Sequence, residues 1–180
     1  MRYLVLLRGI NVGGHNKVPM ADLRVYASDL GLRDVATYIN SGNLIVESEA
    51  AAEDVTRSVT GGFAERFGFP VRAVTLATGP LVAELEGLPD WWRADYARKY
   101  AMFYMAGIDL ALVRERVGTY GLLEHENIHV GGLALYWGVR DRADINRSAL
   151  KRYLMGERFY SDLTLRNSNT CERLASLLRA

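Results

Sequence analysis

The sequence predicts an α+β protein in which the order β-α-β-β-α-β occurs twice, each time with an antiparallel sheet. Three observations carry this reading. Short β-rich runs alternate with amphipathic stretches in that order over residues 1–77, and again from Tyr100 onward. A hairpin signal sits inside each set, Asn40-Ser41-Gly42-Asn43 in the first and Gly131-Gly132 in the second. Gly87-Leu88-Pro89-Asp90 punctuates the chain between them and suggests units 1–87 and 88–180.

In the first unit, residues 3–7 form an apolar run that ends at Arg8, which predicts a strand buried on both faces. Pro19 suits a first helical position, where its missing N–H is not needed. Met20, Leu23, Ala27 and Leu30 follow at helical spacing, and Gly31 is a stop. Residues 35–39 and 44–46 are the hairpin strands. Residues 49–67 predict a helix, with Ala52, Val55, Val59, Phe63 and Phe67 on one face. Gly61-Gly62 weakens it, by about 1 kcal/mol per glycine relative to alanine. Gly68 closes it, and residues 71–76 are a strand. This order is the ferredoxin-like pattern.

Gly79-Pro80 opens a short helix reaching about Glu86. Trp91-Trp92 then reads either as a stacking surface or as a seal between the two halves. Residues 100–105 predict a strand and 110–117 a helix. Residues 123–130 and 133–139 are hairpin strands around Gly131-Gly132. Residues 146–154 predict a helix and 160–165 a last short strand. Asn167 or Ser168 caps a terminal helix to Leu178.

Composition sets bounds on function. The 180 residues, 49% hydrophobic, suffice for one compact body or two small units. A net charge of +1 argues against bulk electrostatic capture of nucleic acid and leaves room for a local patch. The lone Cys171 excludes an internal disulfide and fits a reducing cytoplasm; on a helix it reads as a packing residue. The first apolar run is too short for a signal peptide, and no stretch is long enough to span a membrane. A cytoplasmic protein is the expectation.

The most polar chemistry follows the first strand. Gly9, Gly13 and Gly14 permit positive φ, and Arg8, Asn11, His15, Asn16 and Lys17 crowd a strand-to-helix turn. Backbone N–H groups and the helix dipole favour anions at such a turn. Two phosphate motifs fail here. Gly9 and Gly14 have P-loop spacing, but His15 stands where lysine belongs and no hydroxyl follows Lys17; the dinucleotide fingerprint is absent. No cofactor is expected. The loop is either a turn that needs its glycines or a functional surface.

His125-Glu126-Asn127-Ile128-His129 matches the H-E-x-x-H zinc-protease motif. That chemistry needs a helix, which puts both imidazoles on one face with the glutamate as general base. The flanking glycines predict a strand, in which the two histidines lie about 13 Å apart. A zinc hydrolase is therefore the least favoured function, and no metal is expected.

Leu6-Leu7-Arg8-Gly9-Ile10-Asn11-Val12-Gly13-Gly14-His15-Asn16-Lys17-Val18-Pro19-Met20 resembles the N-terminal signature of the DUF1697 family of bacterial proteins. Thr37-Tyr38-Ile39-Asn40-Ser41-Gly42-Asn43 is similar to its second signature, and Thr164-Leu165-Arg166-Asn167-Ser168-Asn169-Thr170 to its C-terminal one. The resemblance implies two ferredoxin-like units and no known activity.

These three segments define a candidate ligand site. Arg8, Asn11, Gly13, Gly14 and Lys17 come from the first loop, and Asn40, Ser41 and Asn43 from the hairpin turn. Arg166, Asn167, Asn169 and Thr170 come from the start of the last helix, a second N-terminus suited to an anion. The leading expectation is binding of a small phosphate- or carboxylate-bearing ligand in a cleft between the units. The alternative for Arg166 and Asn167 is that they lock the last helix. A nucleic-acid or protein interaction module is the second function class. No catalytic residue or oligomeric state is read from the sequence.

Overall fold

The structure, a computed structural model, describes residues 1–179. Contacts group the chain into two compact units, Met1–Val82 with the chain from Leu174 on, and Ala83–Arg173. The boundary suggested by the sequence falls slightly later, in the loop at Gly87.

The first unit follows the expected order. Strand β1 (Arg2–Arg8) leads to helix α1 (Met20–Asp29), strands β2 (Arg33–Tyr38) and β3 (Asn43–Glu47), helices α2 (Ala52–Gly61) and α3 (Phe63–Phe67), and strand β4 (Arg72–Ala77). The sheet runs β2-β3-β1-β4 and every pairing is antiparallel. Tyr3, Val5 and Leu7 of β1 point into a core with Leu23, Tyr26 and Ala27 of α1 and Val55, Val59 and Phe63 beyond. Leu4 and Leu6 face the other way and are buried as well, as the uninterrupted apolar run required.

The helix expected over 49–67 is broken. Gly62 has φ −96° and ψ 3°, and α2 begins only at Ala52. Tyr26 explains the break. Its hydroxyl donates to the Val59 carbonyl at 2.8 Å, competing for the acceptor that residue 63 uses in an unbroken helix. A Cβ on Gly62 would also lie 3.3 Å from Tyr26 Oη. The broken helix lets Phe63 meet Tyr26 edge-on, with centroids 5.7 Å apart.

Helix α4 (Thr78–Glu86) precedes the second sheet. Strand β5 (Arg98–Tyr104), helix α5 (Leu110–Gly118), strands β6 (Glu126–Val130) and β7 (Ala134–Val139), helix α6 (Ala149–Arg152), strand β8 (Leu163–Asn167) and helix α7 (Ser168–Arg179) follow. The sheet order β6-β7-β5-β8 repeats that of the first unit, again antiparallel throughout. Both units have the ferredoxin-like arrangement. Met102, Leu135, Trp137 and Leu163 pack with Val113 of α5 and with Leu150, Leu154 and Phe159.

The second crossover departs from expectation. In place of a helix over 146–154 there are 3-10 segments at Arg142–Arg147 and Leu154–Gly156 around the four-residue α6. Tyr153 ends α6 at φ −129°, and its ring stacks on Tyr120 at 5.2 Å. Residues 158–162 are also 3-10, so β8 starts later than residue 160.

Candidate functional site

The loop after β1 is a chain of left-handed residues. Gly9, Asn11, Gly13, Gly14 and Asn16 all have φ between 50° and 82°. Asparagine tolerates that region because its short side chain bonds locally. Asn11 Oδ1 accepts from Val18 N at 2.8 Å, while Asn11 Nδ2 donates to the carbonyls of Val18 and Asn40 at 2.9 and 2.8 Å. Asn16 Nδ2 donates to the Gly9 carbonyl at 3.1 Å. These amides satisfy backbone groups that the irregular loop would otherwise strand. Asn11 therefore clamps the loop to the hairpin turn.

Beside this clamp lies an open cavity of about 460 Å³. Asn11, Gly14, Lys17 and Asn40 line it, with Val18, Pro19 and Met20 supplying apolar wall. Four residues of the sequence-derived site thus meet here. Lys17 is exposed and has no hydrogen-bond or ion-pair partner among the described residues, and the same holds for the Asn40 side chain. Pro19 stands at the N-cap of α1 with no side-chain hydrogen bond, so the N-cap residue does not satisfy the N–H groups of the helix's first turn. Asp22 is an acidic residue of that turn. Arg8 is half-buried at the strand end, directly across from Arg72 of β4.

The hairpin turn is held from within. Asn43 is fully buried and its Nδ2 donates to the Tyr38 carbonyl at 2.9 Å and to Ser41 Oγ at 3.0 Å. Leu7 N donates to the Gly42 carbonyl at 2.8 Å. A Cβ on Gly42 would lie 2.8 Å from Leu7 Cβ, so this turn needs glycine for space as well as for its φ of 77°. Ile39 is the anomaly: a β-branched residue at φ 47°, a conformation costing about 1–3 kcal/mol, with its side chain 47% exposed.

The C-terminal signature is built mainly inward. Arg166 is 6% exposed, and its Nη1 donates to the Leu165 carbonyl at 2.7 Å and to Thr164 Oγ1 at 3.1 Å. Burial lowers its pKa to about 10. Thr170 is buried, and its N donates to Asn167 Oδ1 at 2.8 Å, which caps α7. Asn169 is exposed, beside a polar depression of about 320 Å³ that Arg98 and Tyr100 also line. Cys171 is buried, and burial pushes its thiol up to about 12, which fits a packing residue.

The H-E-x-x-H segment lies in and beside a strand, so its histidines do not share a helix face. His125 precedes β6, and His129 sits within it against Tyr136. Glu126, the general base of the motif chemistry, is 4% exposed and fully engaged. It accepts from Trp137 Nε1 at 2.6 Å, Ala149 N at 2.7 Å and Leu123 N at 3.2 Å. It pins β6, β7 and α6 together. Among the described residues no group of three metal-ligating side chains converges.

One feature escaped the sequence reading. Glu84 of α4 accepts from Gly132 N and Leu133 N, each at 2.9 Å, from Ala134 N at 3.2 Å and from the Tyr136 hydroxyl at 2.9 Å. A Cβ on Gly131 would lie 2.5 Å from Glu84 Oε1. Gly131-Gly132 is thus a carboxylate seat as well as a turn. Trp91 and Trp92, expected as a stacking surface or a seal between the halves, pack against β7 of the second unit. Trp92 meets Tyr136 edge-on at 5.2 Å, and Trp91 covers Gly138, where a Cβ would come within 2.8 Å of its ring.

Two ferredoxin-like α+β units, the first with a glycine- and asparagine-rich loop after its opening strand, define the class. The chain belongs to the DUF1697 family, proteins of unknown function, whose family model matches residues 1–136. It is similar over its whole length to a solved structure, that of the conserved bacterial protein SP0830 from Streptococcus pneumoniae. Identity is 36% and the TM-score 0.90, over 99% of this chain and 98% of that one. No curated protein matches it. No helix among the described residues is long and apolar enough to cross a membrane.

Proposed function

We propose that the loop of residues 9–20 binds a small anion, a phosphate or a carboxylate. One observation carries the reading: an unpartnered Lys17 at a cavity whose wall is already fixed by Asn11. A pre-formed site loses little entropy on binding. Lys17 supplies the charge, the Asn40 amide and the N–H groups of Gly13 and Gly14 supply further donors, and Arg8 adds positive potential. Ser41 and Asn43 hold the turn that carries Asn40. The C-terminal signature enters as support for the fold, with Asn167 capping α7 and Arg166 and Thr170 buried beneath it.

The test is a thermal-shift series with phosphate and acetate on the wild type and on Lys17→Ala. Anion at one hundred times its dissociation constant stabilises by about 2.7 kcal/mol, several degrees for a chain of this length, and the variant loses that shift. An equal shift in both proteins removes Lys17 from the site and contradicts the reading.

A further inference from the structure

We propose that the ligand of this cavity is a free monoanion with a short unbranched aliphatic tail, a medium-chain carboxylate, and not a sugar phosphate or nucleotide. The inference rests on the anion-binding reading above and names its substrate class.

Three observations carry it. First, beyond the loop N–H groups that serve the anionic head, the side-chain polar groups left over in the cavity are few. Both ends of the Asn11 amide are committed to Val18 and Asn40, and the Asn40 carbonyl is taken by Asn11. What remains among the side chains is the Lys17 ammonium and the Asn40 amide, enough for one anionic head and too few for a ring of hydroxyls. Second, the rest of the wall is Val18, Pro19 and Met20, with no aromatic face on which a nucleobase would stack. Third, one residue on each side of the Asn11–Asn40 clamp is an exposed aliphatic. Val12 is 61% exposed and Ile39 47%. Each is the immediate chain neighbour of a wall residue.

Ile39 makes the argument specific. Glycine or asparagine would occupy its left-handed position with little strain, yet a β-branched residue stands there half in solvent. An aliphatic tail leaving the cavity past Asn40 would lie against it. A cavity of about 460 Å³ is at the small end of ligand pockets and suits a chain of roughly six to eight carbons.

The test is calorimetric titration of the full chain with butyrate, hexanoate, octanoate, octanol and inorganic phosphate. Wild type, Lys17→Ala and Ile39→Asn are compared, each checked for folding by circular dichroism. Wild-type affinity is expected to rise two- to fourfold per added methylene, the upper figure converting about 0.8 kcal/mol per buried CH₂. Octanol binds at least tenfold more weakly than octanoate, K17A loses that preference, and I39N flattens the chain-length series without loss of fold. If phosphate and all three acids bind equally and through Lys17, the anion reading stands and the aliphatic class is overturned. If octanol matches octanoate, or K17A binds as the wild type does, the anion reading itself fails. Absence of binding by every carboxylate to folded wild type overturns the inference.

Discussion

Asn11 Nδ2 donates to the Asn40 carbonyl oxygen at 2.8 Å across 29 positions of chain. This bond joins the glycine-rich loop after β1 to the turn between β2 and β3. Together with the two bonds to Val18, it makes one side chain the organiser of the cavity. Replacing Asn11 by alanine removes three hydrogen bonds and leaves a residue at φ 54° that disfavours that region. A loss of about 2–3 kcal/mol is expected from chemical denaturation. Asn11→Gly keeps the backbone geometry, loses the same bonds, and falls between alanine and wild type. Equal stability of all three would mean that the clamp is incidental.

Glu126 tests the fate of the H-E-x-x-H segment. Its carboxylate satisfies the indole of Trp137 and two backbone N–H groups in a buried setting. Glu126→Ala strands those donors and is expected to cost at least about 3 kcal/mol, with altered Trp137 fluorescence. His125→Ala, on an exposed side chain, changes stability by less than about 0.5 kcal/mol. A stabilising response to zinc that His125→Ala abolishes would contradict this account.

Gly131 and Glu84 form a coupled pair. Gly131→Ala drives a methyl group against Glu84 Oε1 and toward the Ala134 carbonyl, at an expected cost of about 1–3 kcal/mol. Glu84 cannot move aside without giving up its bonds to Gly132, Leu133 and Ala134. In a double-mutant cycle, Gly131→Ala in a Glu84→Ala background is therefore milder than in wild type. Strict additivity would show that Glu84 is not what the glycine accommodates.

Cys171 gives a pH prediction. Its thiol rises from an ordinary 9 to about 12 on folding, chiefly through burial, with Arg166 opposing. Between these values the folded state holds a proton that the unfolded state has lost. The contribution is complete below pH 9 and is lost as pH rises toward 12. Cys171→Ala is expected to make stability fall less steeply across that window. Labelling of the native thiol at pH 8 proceeds only at the rate of unfolding. Rapid labelling of folded protein would show an accessible thiolate.

Much of the fold was legible because hydrophobic period and turn chemistry are local. The run Tyr3–Leu7, the stops at Gly31 and Gly68, and both hairpins follow from neighbouring residues alone. The break at Gly62 was only half visible: two glycines marked weakness, but the competing hydroxyl of Tyr26 comes from another helix. The short second crossover was hidden for the same kind of reason, since Glu126, remote in sequence, binds Ala149 N at the start of α6. In the candidate site, residue types drew attention to the loop but did not show the duties of its side chains. Asn11 and Asn43 read as ligand donors and are largely occupied with backbone, while Lys17 remains available. A sequence displays donors and does not show which of them the fold consumes.

The central claim is that Lys17 and its loop take an anion. The most direct measurement is a ¹H–¹⁵N correlation titration of the labelled protein with inorganic phosphate, on wild type and Lys17→Ala. The account predicts saturable shifts confined to the amides of residues 13–20 and Asn40, absent in the variant and retained in Lys17→Arg. Shifts that do not saturate, that centre elsewhere, or that persist unchanged in Lys17→Ala would contradict it.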